Sequence, residues 1–270
     1  MKIIYINKGN TYYLSSVIAT TAQYNEEVVL IGDNLLKKFA RKNISFIPFD
    51  EYRGKFGYKH ISVNPADYEE FCIERWFILK NYMVKNKIDE VWYSDSDNII
   101  YENIETVPVE DYDCMYLKNI NHISPHLIYL NLRAIKALCV YLKDFYLHLN
   151  QRDIDRVKDS INGRDHISDM YLLHDFIKTS AIKSKAMMHE NINSSYDNNI
   201  YFVNGIPYLG ENKLLNVHFN WDNKKYIHII DLYGYILKYI PISIGICGNI
   251  LKLNLPKIYK LLKPYFPDKK

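Results

Sequence analysis

The first half of the chain alternates short apolar runs with stretches of helical periodicity, and this alternation restricts the fold more than any other feature of the sequence. Apolar runs at 2–7, 27–34 and 44–49 are bounded by Gly, Asp or Asn, a pattern typical of buried strands. Residues 11–24 carry apolar side chains at helical spacing, and 35–43 predicts a further short helix. This strand–helix order predicts a parallel sheet covered by helices.

The sequence continues in the same way as far as residue 225 or so. One apolar stripe, with acidic residues in its first turns, predicts a long helix over 66–87. The later predicted elements are strands over 88–95 and 126–132 and helices over 133–149 and 168–180, the last with Ser168 as N-cap. No linker or repeat interrupts this part, so we expect one α/β domain over 1–225.

Composition narrows the class of protein. With 48% hydrophobic and 24% charged residues the chain has the composition of a typical globular protein. Its net charge of +3 is too small to indicate a nucleic-acid partner. The four cysteines have no CxxC spacing and are expected to be buried free thiols in a reducing compartment: Cys72, Cys114, Cys139 and Cys247. The N-terminal apolar run is too short for a signal-peptide core, and no apolar run reaches the roughly 20 residues that span a bilayer, so we expect a cytoplasmic protein.

The C-terminal segment differs from the rest in charge. From Lys224 to Lys270 there are nine lysines against two aspartates, a net charge of +7, and the lysines alternate with Ile, Leu and Tyr. We expect residues 226–270 to form a basic amphipathic extension. Two interpretations stay open: peripheral docking on anionic lipid headgroups, or packing of helices on the preceding domain or on a second copy of the chain in a homodimer.

Two aspartates interrupt the apolar sequence "VWYSDSDNII" at 91–100. In a strand, Asp95 and Asp97 would point to the same face, at the carboxyl end where open α/β sheets bind ligands. Two such carboxylates repel each other unless a cation lies between them, and Mg²⁺ or Mn²⁺ suits both carboxylate and diphosphate oxygens. The alternative is an ordinary Asp-rich turn. A calcium EF-hand loop fits the sequence poorly, because Ile100 and Thr106 stand where it needs Gly and Glu.

The segment "EVWYSDSDNIIYENI" at 90–104 resembles the DxD segment of GT-A-fold glycosyltransferases, and the wider stretch 58–98 is similar to bacterial members of that superfamily. The resemblance covers roughly 1–225. It implies a GT-A type, Rossmann-like mixed sheet flanked by helices as the catalytic domain, followed here by a basic amphipathic helical tail. It also implies transfer of a sugar from a nucleotide-sugar to an acceptor, with Asp95 and Asp97 on the metal.

The resemblance extends to other candidate site residues. An arginine on the helix before the DxD strand contacts the donor in similar enzymes, and Arg75 occupies that place here. "HFNWDNK" partly matches the H-x-x-G-x-x-K-P-W segment of the glycogenin-like retaining branch. That match implies His218 as third metal ligand and Lys224 on the diphosphate. Trp221 replaces the Gly, so retention and inversion at the anomeric carbon both stay open.

Further candidates follow from the same resemblance. Asp169 and Asp165 are expected to face the acceptor, with helix capping as the alternative. Asn7 and Asp33 end the first two strands and are expected near the base or ribose, although both residue types also end strands in general. The acceptor-pocket candidates after the DxD are His122, His126 and Asn131.

The resemblance thus predicts a metal-dependent enzyme that uses Mn²⁺ or Mg²⁺ and a nucleotide-sugar, foremost a UDP-sugar, with a glycan or lipid-linked acceptor. The implied setting is bacterial capsule or lipooligosaccharide synthesis at the inner face of the cytoplasmic membrane. One alternative is a nucleotidyltransferase, although the Gly-rich basic loop of that class is reduced here to Lys8-Gly9-Asn10. The other alternative is a catalytically silent sugar-nucleotide-binding or scaffold protein.

Overall fold

A computed structural model describes residues 1–109, 111–118, 123–160, 167–187, 192–194, 200–203, 206–209, 211–219, 224, 227, 244–247 and 250–253. The helices are α1 (Leu14–Tyr24), α2 (Ala66–Lys85), α3 (Leu132–Leu147), α4 (Gln151–Ser160) and α5 (Asp169–Thr179). The strands are β1 (Lys2–Asn7), β2 (Val28–Gly32), β3 (Ile44–Pro48), β4 (Glu90–Ser94), β5 (Asn98–Ile100), β6 (Cys114–Lys118), β7 (Ile123–Asn131), β8 (Ser184–Met187), β9 (Ile192–Ser194), β10 (Ile200–Val203), β11 (Ile206–Leu209), β12 (Asn212–Lys213), β13 (Asn216–His218), β14 (Ile244–Cys247) and β15 (Ile250–Leu253).

Seven strands form the main sheet, in the order β3-β2-β1-β4-β7-β6-β8. The four strands from β3 to β4 are parallel, β7 is antiparallel to both of its neighbours, and β8 is parallel to β6. The predicted mixed sheet flanked by helices is therefore confirmed. The parallel arrangement inferred from the first elements holds for β1 to β3 and extends to β4.

Alternate residues of the buried strands supply two cores, one on each face of this sheet. On one face Ile3 and Tyr5 pack in a cluster that includes Leu14 and Val17 of α1. On the other face Ile4 belongs to a cluster built with α2 and α3, whose members include Trp76, Leu79, Leu138 and Leu142. Because both faces are covered, β1 and β2 read as almost continuous apolar runs.

A small second sheet, β5-β13-β9, begins just after the carboxyl end of β4. β5 and β13 are antiparallel, with Asn98 opposite His218 and Ile100 opposite Asn216. This pairing brings a segment from late in the chain to the end of β4, where the two aspartates lie.

The predicted helix at 66–87 is observed as Ala66–Lys85, whereas the helix expected at 35–43 is a 3-10 helix over Asn34–Phe39. Cys72, Cys114 and Cys139 are buried free thiols, as expected, and the side chain of Cys247 lies outside the described residues. Among the helices that the structure describes, none is both long and apolar enough to cross a bilayer.

The C-terminal segment departs from the helical expectation in the part that the structure describes. β14 and β15 pair as antiparallel strands, and β14 also pairs with β10. Ile, Leu and Lys in alternation suit a strand once a pairing edge is present, and β10 provides that edge. Most of 226–270 lies outside the described residues, so the division into two domains stays a prediction.

Candidate metal and nucleotide site

The turn that carries the two aspartates is held by buried hydrogen bonds. The main-chain N–H of Asp95 donates to the carbonyl of His126 at 3.0 Å. Asn98 is fully buried, and its Nδ2 donates to Ser94 Oγ at 2.9 Å and to the His126 carbonyl at 3.1 Å. Because buried amides must be hydrogen-bonded, this network restricts the turn to one conformation.

Asp95, Asp97 and His218 form the candidate metal centre. Each offers one ligand atom, and these atoms lie within 4.8 Å of one another. His218 Nε2 is 3.1 Å from Asp97 Oδ1. The main-chain N–H of Phe219 donates to the Asp97 carbonyl at 2.9 Å, so the β13 segment is attached to the turn by its backbone as well. The three residues expected on the metal are thus brought together.

Lys224 lies on the other side of the Asp97 carboxylate, with Nζ 2.7 Å from Oδ2. Its ammonium also lies 5.5 Å from the ring centroid of Tyr13. Burial alone would raise the pKa of Asp97, but His218 and Lys224 together lower that pKa below its ordinary value. Asp97 is therefore an ionised carboxylate in a positive environment.

Arg75 connects two acidic side chains from separate elements. Its Nη1 donates to Asp95 Oδ1 at 2.7 Å, and its Nη2 donates to Asp169 Oδ2. Nη1 also donates to Tyr93 Oη at 2.9 Å, and the Tyr93 hydroxyl in turn donates to Asp95 Oδ1 at 2.8 Å. A planar guanidinium has five N–H donors in a fixed arrangement, which suits it to bridging several acceptors in this way. The sequence placed Arg75 near the donor but did not reveal these partners.

Asp169 is the first residue of α5 and is almost completely buried. Its main-chain N–H donates to Glu69 Oε1 at 3.0 Å, while its carboxylate accepts from Arg75. Burial raises the pKa of Asp169 to about 6, against the lowering effect of Arg75. Ser168 holds the N-cap position without a side-chain capping bond. Asp165 lies outside the described residues, and the acceptor-facing role of Asp169 stays a prediction.

Asn7 and Asp33 meet around Gly9 at the carboxyl ends of β1 and β2. Asn7 Nδ2 donates to the Gly9 carbonyl at 2.7 Å, and the Gly9 N–H donates to Asp33 Oδ2. Gly9 has φ of +78°, which a residue with a side chain rarely adopts. A Cβ at Gly32 would lie 2.6 Å from the Asn7 carbonyl oxygen, so the two strand ends approach closely. Their predicted place near the nucleotide stays untested.

The three acceptor-pocket candidates differ in where they lie. Asn131 caps α3, its side chain accepting from the Ala134 N–H at 2.9 Å. It pairs with Glu90 at the start of β4. Because β7 runs antiparallel to β4, Asn131 lies at the opposite end of the strands from the aspartates. This expectation is therefore corrected. The ring of His126 stacks on the ring of His218. His122 lies outside the described residues.

Several residues of the site went unrecognised in the sequence: Tyr13, Glu69, Tyr93 and Asn98. The one available signal was Asn98, a polar residue directly before an apolar run, since a buried amide in that place needs partners. The others belong to residue types that are common in any core or helix.

No family model matches the chain, and no curated protein matches it either. Among solved structures it is similar to mouse xyloside xylosyltransferase 1, with 11% identity over 72% of this chain and 88% of that one and a TM-score of 0.48. It is also similar to the galactosyltransferase LgtC in complex with donor and acceptor sugar analogues, with 11% identity, 89% and 98% coverage and a TM-score of 0.47. A third is GlyE of Streptococcus pneumoniae, with 9% identity, 87% and 61% coverage and a TM-score of 0.46. At TM-scores below 0.5 these similarities do not assign an activity.

Proposed function

We propose that the chain is a metal-dependent glycosyltransferase that moves a sugar from a nucleotide-sugar to a glycan or lipid-linked acceptor. One observation carries the proposal. Asp95, Asp97 and His218 converge at the carboxyl end of β4, with Lys224 and Arg75 beside them. Carboxylates at a strand end can hold a divalent ion, and the cationic side chains next to them suit an anionic ligand bound to that ion.

The residues present fit Mn²⁺ or Mg²⁺. Two carboxylates supply the hard oxygen ligands that both ions prefer, and an imidazole is acceptable to Mn²⁺. Within the described residues His218 Nδ1 is buried without a hydrogen-bond partner. Asp95 Oδ1 accepts from Arg75 and Tyr93, so these two bonds orient the carboxylate at the site.

Each remaining residue has a proposed task. A bound cation would offset the negative charge that develops on the departing nucleoside diphosphate. Lys224 beside Asp97 and Arg75 beside Asp95 add positive charge at the site. Asp169 is proposed as the acceptor-side carboxylate, and Asn7 and Asp33 as contacts to the base or ribose. Whether the anomeric configuration is retained or inverted depends on the acceptor geometry.

We further propose a UDP-sugar as donor and bacterial capsule or lipooligosaccharide synthesis as the setting. The support for this setting is the resemblance of 58–98 to bacterial enzymes. The basic segment 226–270 is proposed to bring the domain to the cytoplasmic face of a membrane that holds a lipid-linked acceptor, or to pack in a homodimer. Flotation of the full chain with anionic liposomes, compared with a chain ending at Asn223, separates these two roles.

Titration with UDP-, GDP- and CMP-sugars in the presence of Mn²⁺ tests the activity. We expect slow donor hydrolysis with one nucleotide class, lost when EDTA replaces Mn²⁺. Tight binding of a nucleotide-sugar without any turnover would favour a catalytically silent binding protein. If the chain binds none of the three classes of nucleotide-sugar, the proposal is contradicted.

A further inference from the structure

The imidazole of His126 lies flat against the imidazole of His218. The ring centroids are 4.2 Å apart and the ring planes differ by 12°. Both residues are buried, with 2% and 8% of their surface exposed. A face-to-face contact of this kind restricts the rotation of both rings, because either ring must leave the stack to turn.

The backbone of His126 holds the other half of the same site. Its carbonyl accepts from the Asp95 N–H at 3.0 Å, from Asn98 Nδ2 at 3.1 Å and from Ser94 Oγ at 3.3 Å. One residue thus contacts the aspartate turn through its main chain and the histidine of β13 through its side chain. Both halves of the candidate metal centre thus contact His126, in addition to their direct link through the Phe219 N–H and the Asp97 carbonyl.

His126 lies in β7 of the main sheet, one residue before the last β4 pair, Leu127 with Ser94, and at the point where the pairing of β7 with β6 shifts in register. Its Nδ1 is 2.5 Å from Ser124 Oγ, a hydrogen bond that sets the plane of the ring. His218, by contrast, comes from a strand of three residues. A ring anchored in the main sheet therefore orients a ring carried by a short strand.

We infer that His126 is a positioning residue for the candidate metal centre, and that its ring holds the His218 imidazole at the orientation a divalent ion needs. This inference rests on the proposed function, since it assigns His126 a task only if the centre binds a cation. Residues that orient a metal ligand without touching the ion typically change metal affinity by about 10–100-fold.

The test compares two double variants of the full chain, Ser124→Ala/His126→Leu and Ser124→Ala/His126→Phe. Both lack the hydrogen bond between residues 124 and 126, and both keep the main-chain carbonyl, so they differ in whether a planar ring remains. We expect Mn²⁺ affinity, measured by calorimetry without any substrate, to fall about tenfold or more in the Leu variant and to be largely restored in the Phe variant.

A second pair places the same two variants in a His218→Ala background. If the ring at residue 126 acts through His218, the Leu and Phe variants will bind Mn²⁺ equally there. A Leu–Phe difference that persists without His218, or equal affinities with His218 present, would overturn the inference. Absence of Mn²⁺ binding by the unaltered chain would overturn the proposed metal centre, and this inference with it. Urea unfolding of each variant separates loss of the site from loss of the fold.

Discussion

His218 Nε2 lies 3.1 Å from Asp97 Oδ1, and an antiparallel pairing of two short strands brings these distant residues together. Lys224 contacts the second oxygen of the same carboxylate at 2.7 Å. Asp97 is thus the residue on which Lys224 and the candidate metal ligand His218 converge.

Changing Asp97→Asn should remove Mn²⁺ binding and Mn²⁺-dependent donor hydrolysis while the fold remains. The amide keeps the shape of the side chain but loses the charge that a cation, Lys224 and His218 share. Residues one layer away from a metal change affinity by about 10–100-fold, so loss of a direct ligand should cost at least about 100-fold. Calorimetry measures the affinity, and circular dichroism checks the fold.

Asp111→Asn is the matched control for this variant. Asp111 is exposed in the turn before β6, and β6 begins opposite Leu130, at the end of the strands away from the aspartates. Its positive φ is one that Asn also tolerates. It should leave Mn²⁺ affinity unchanged. Equal affinities for Asp97→Asn and the unaltered chain would rule out Asp97 as a ligand.

Arg75→Met should destabilise the fold by about 3–5 kcal/mol, because it leaves Asp95 and Asp169 without their shared cation in a buried place. Adding Asp169→Asn should recover part of this loss, since one of the two unpaired charges is then absent. Urea unfolding measures both. Lys85→Met on the same helix removes an exposed ion pair and should change little. Equal destabilisation by the Arg75 and Lys85 changes would refute the bridging role.

Asp169 should make stability depend on pH between about 4 and 6. Burial raises its pKa to about 6 from an ordinary value of 3.8, so the folded chain keeps this proton over a range in which the unfolded chain has lost it. The stabilisation is fully present below pH 4 and is lost as the pH rises through 6, by at most about 1.4 kcal/mol per pH unit.

Urea unfolding of the unaltered chain and of Asp169→Asn across pH 4 to 7, in EDTA, measures this effect. The unaltered chain should lose stability relative to the variant as the pH rises from 4 to 6. A difference that is constant across this range, or that grows in favour of the unaltered chain, would contradict the raised pKa.

Asn98→Ala should destabilise the chain by about 2–3 kcal/mol through the loss of buried hydrogen bonds to Ser94, His126 and Asn216. Asn98→Asp keeps the shape but removes the donors and adds a charge, so it should be at least as damaging. Both variants should also weaken Mn²⁺ binding, because the aspartate turn loses its support. Unfolding free energies near that of the unaltered chain would show that the network is dispensable.

Local pattern was enough to single out the acidic pair of the candidate site. The apolar run that becomes β4 and the i, i+2 spacing of Asp95 and Asp97 are properties of neighbouring residues, so they could be read without any tertiary contact. The long helix that carries Arg75 was predicted for the same reason. Its partners were not, because Asp169 belongs to a helix far along the chain and Tyr93 resembles any buried aromatic residue.

Errors arose where long-range pairing decides the outcome. Asn131 is an acceptor-side residue in the sequence-based prediction, but β7 runs antiparallel to β4, so Asn131 lies at the opposite end of the strands from Asp95 and Asp97. A helical tail is the sequence-based expectation for 226–270, yet within that range β14 pairs with β10 and forms a hairpin with β15. Strand formation depends on an available edge, and no local periodicity reports one.

The sequence by itself determined the strand–helix order of the first half of the chain and the acidic pair at the end of a buried strand, since both depend on spacing between near neighbours. Only the tertiary structure decided which groups face that pair. The pairing of β13 with β5 brings His218 to Asp97, β7 supplies the ring of His126 behind it, and Arg75 bridges Asp95 to Asp169. These contacts join residues that are distant in sequence, and they form because core packing and strand pairing in the complete fold offset the entropy cost of closing the long loops between them.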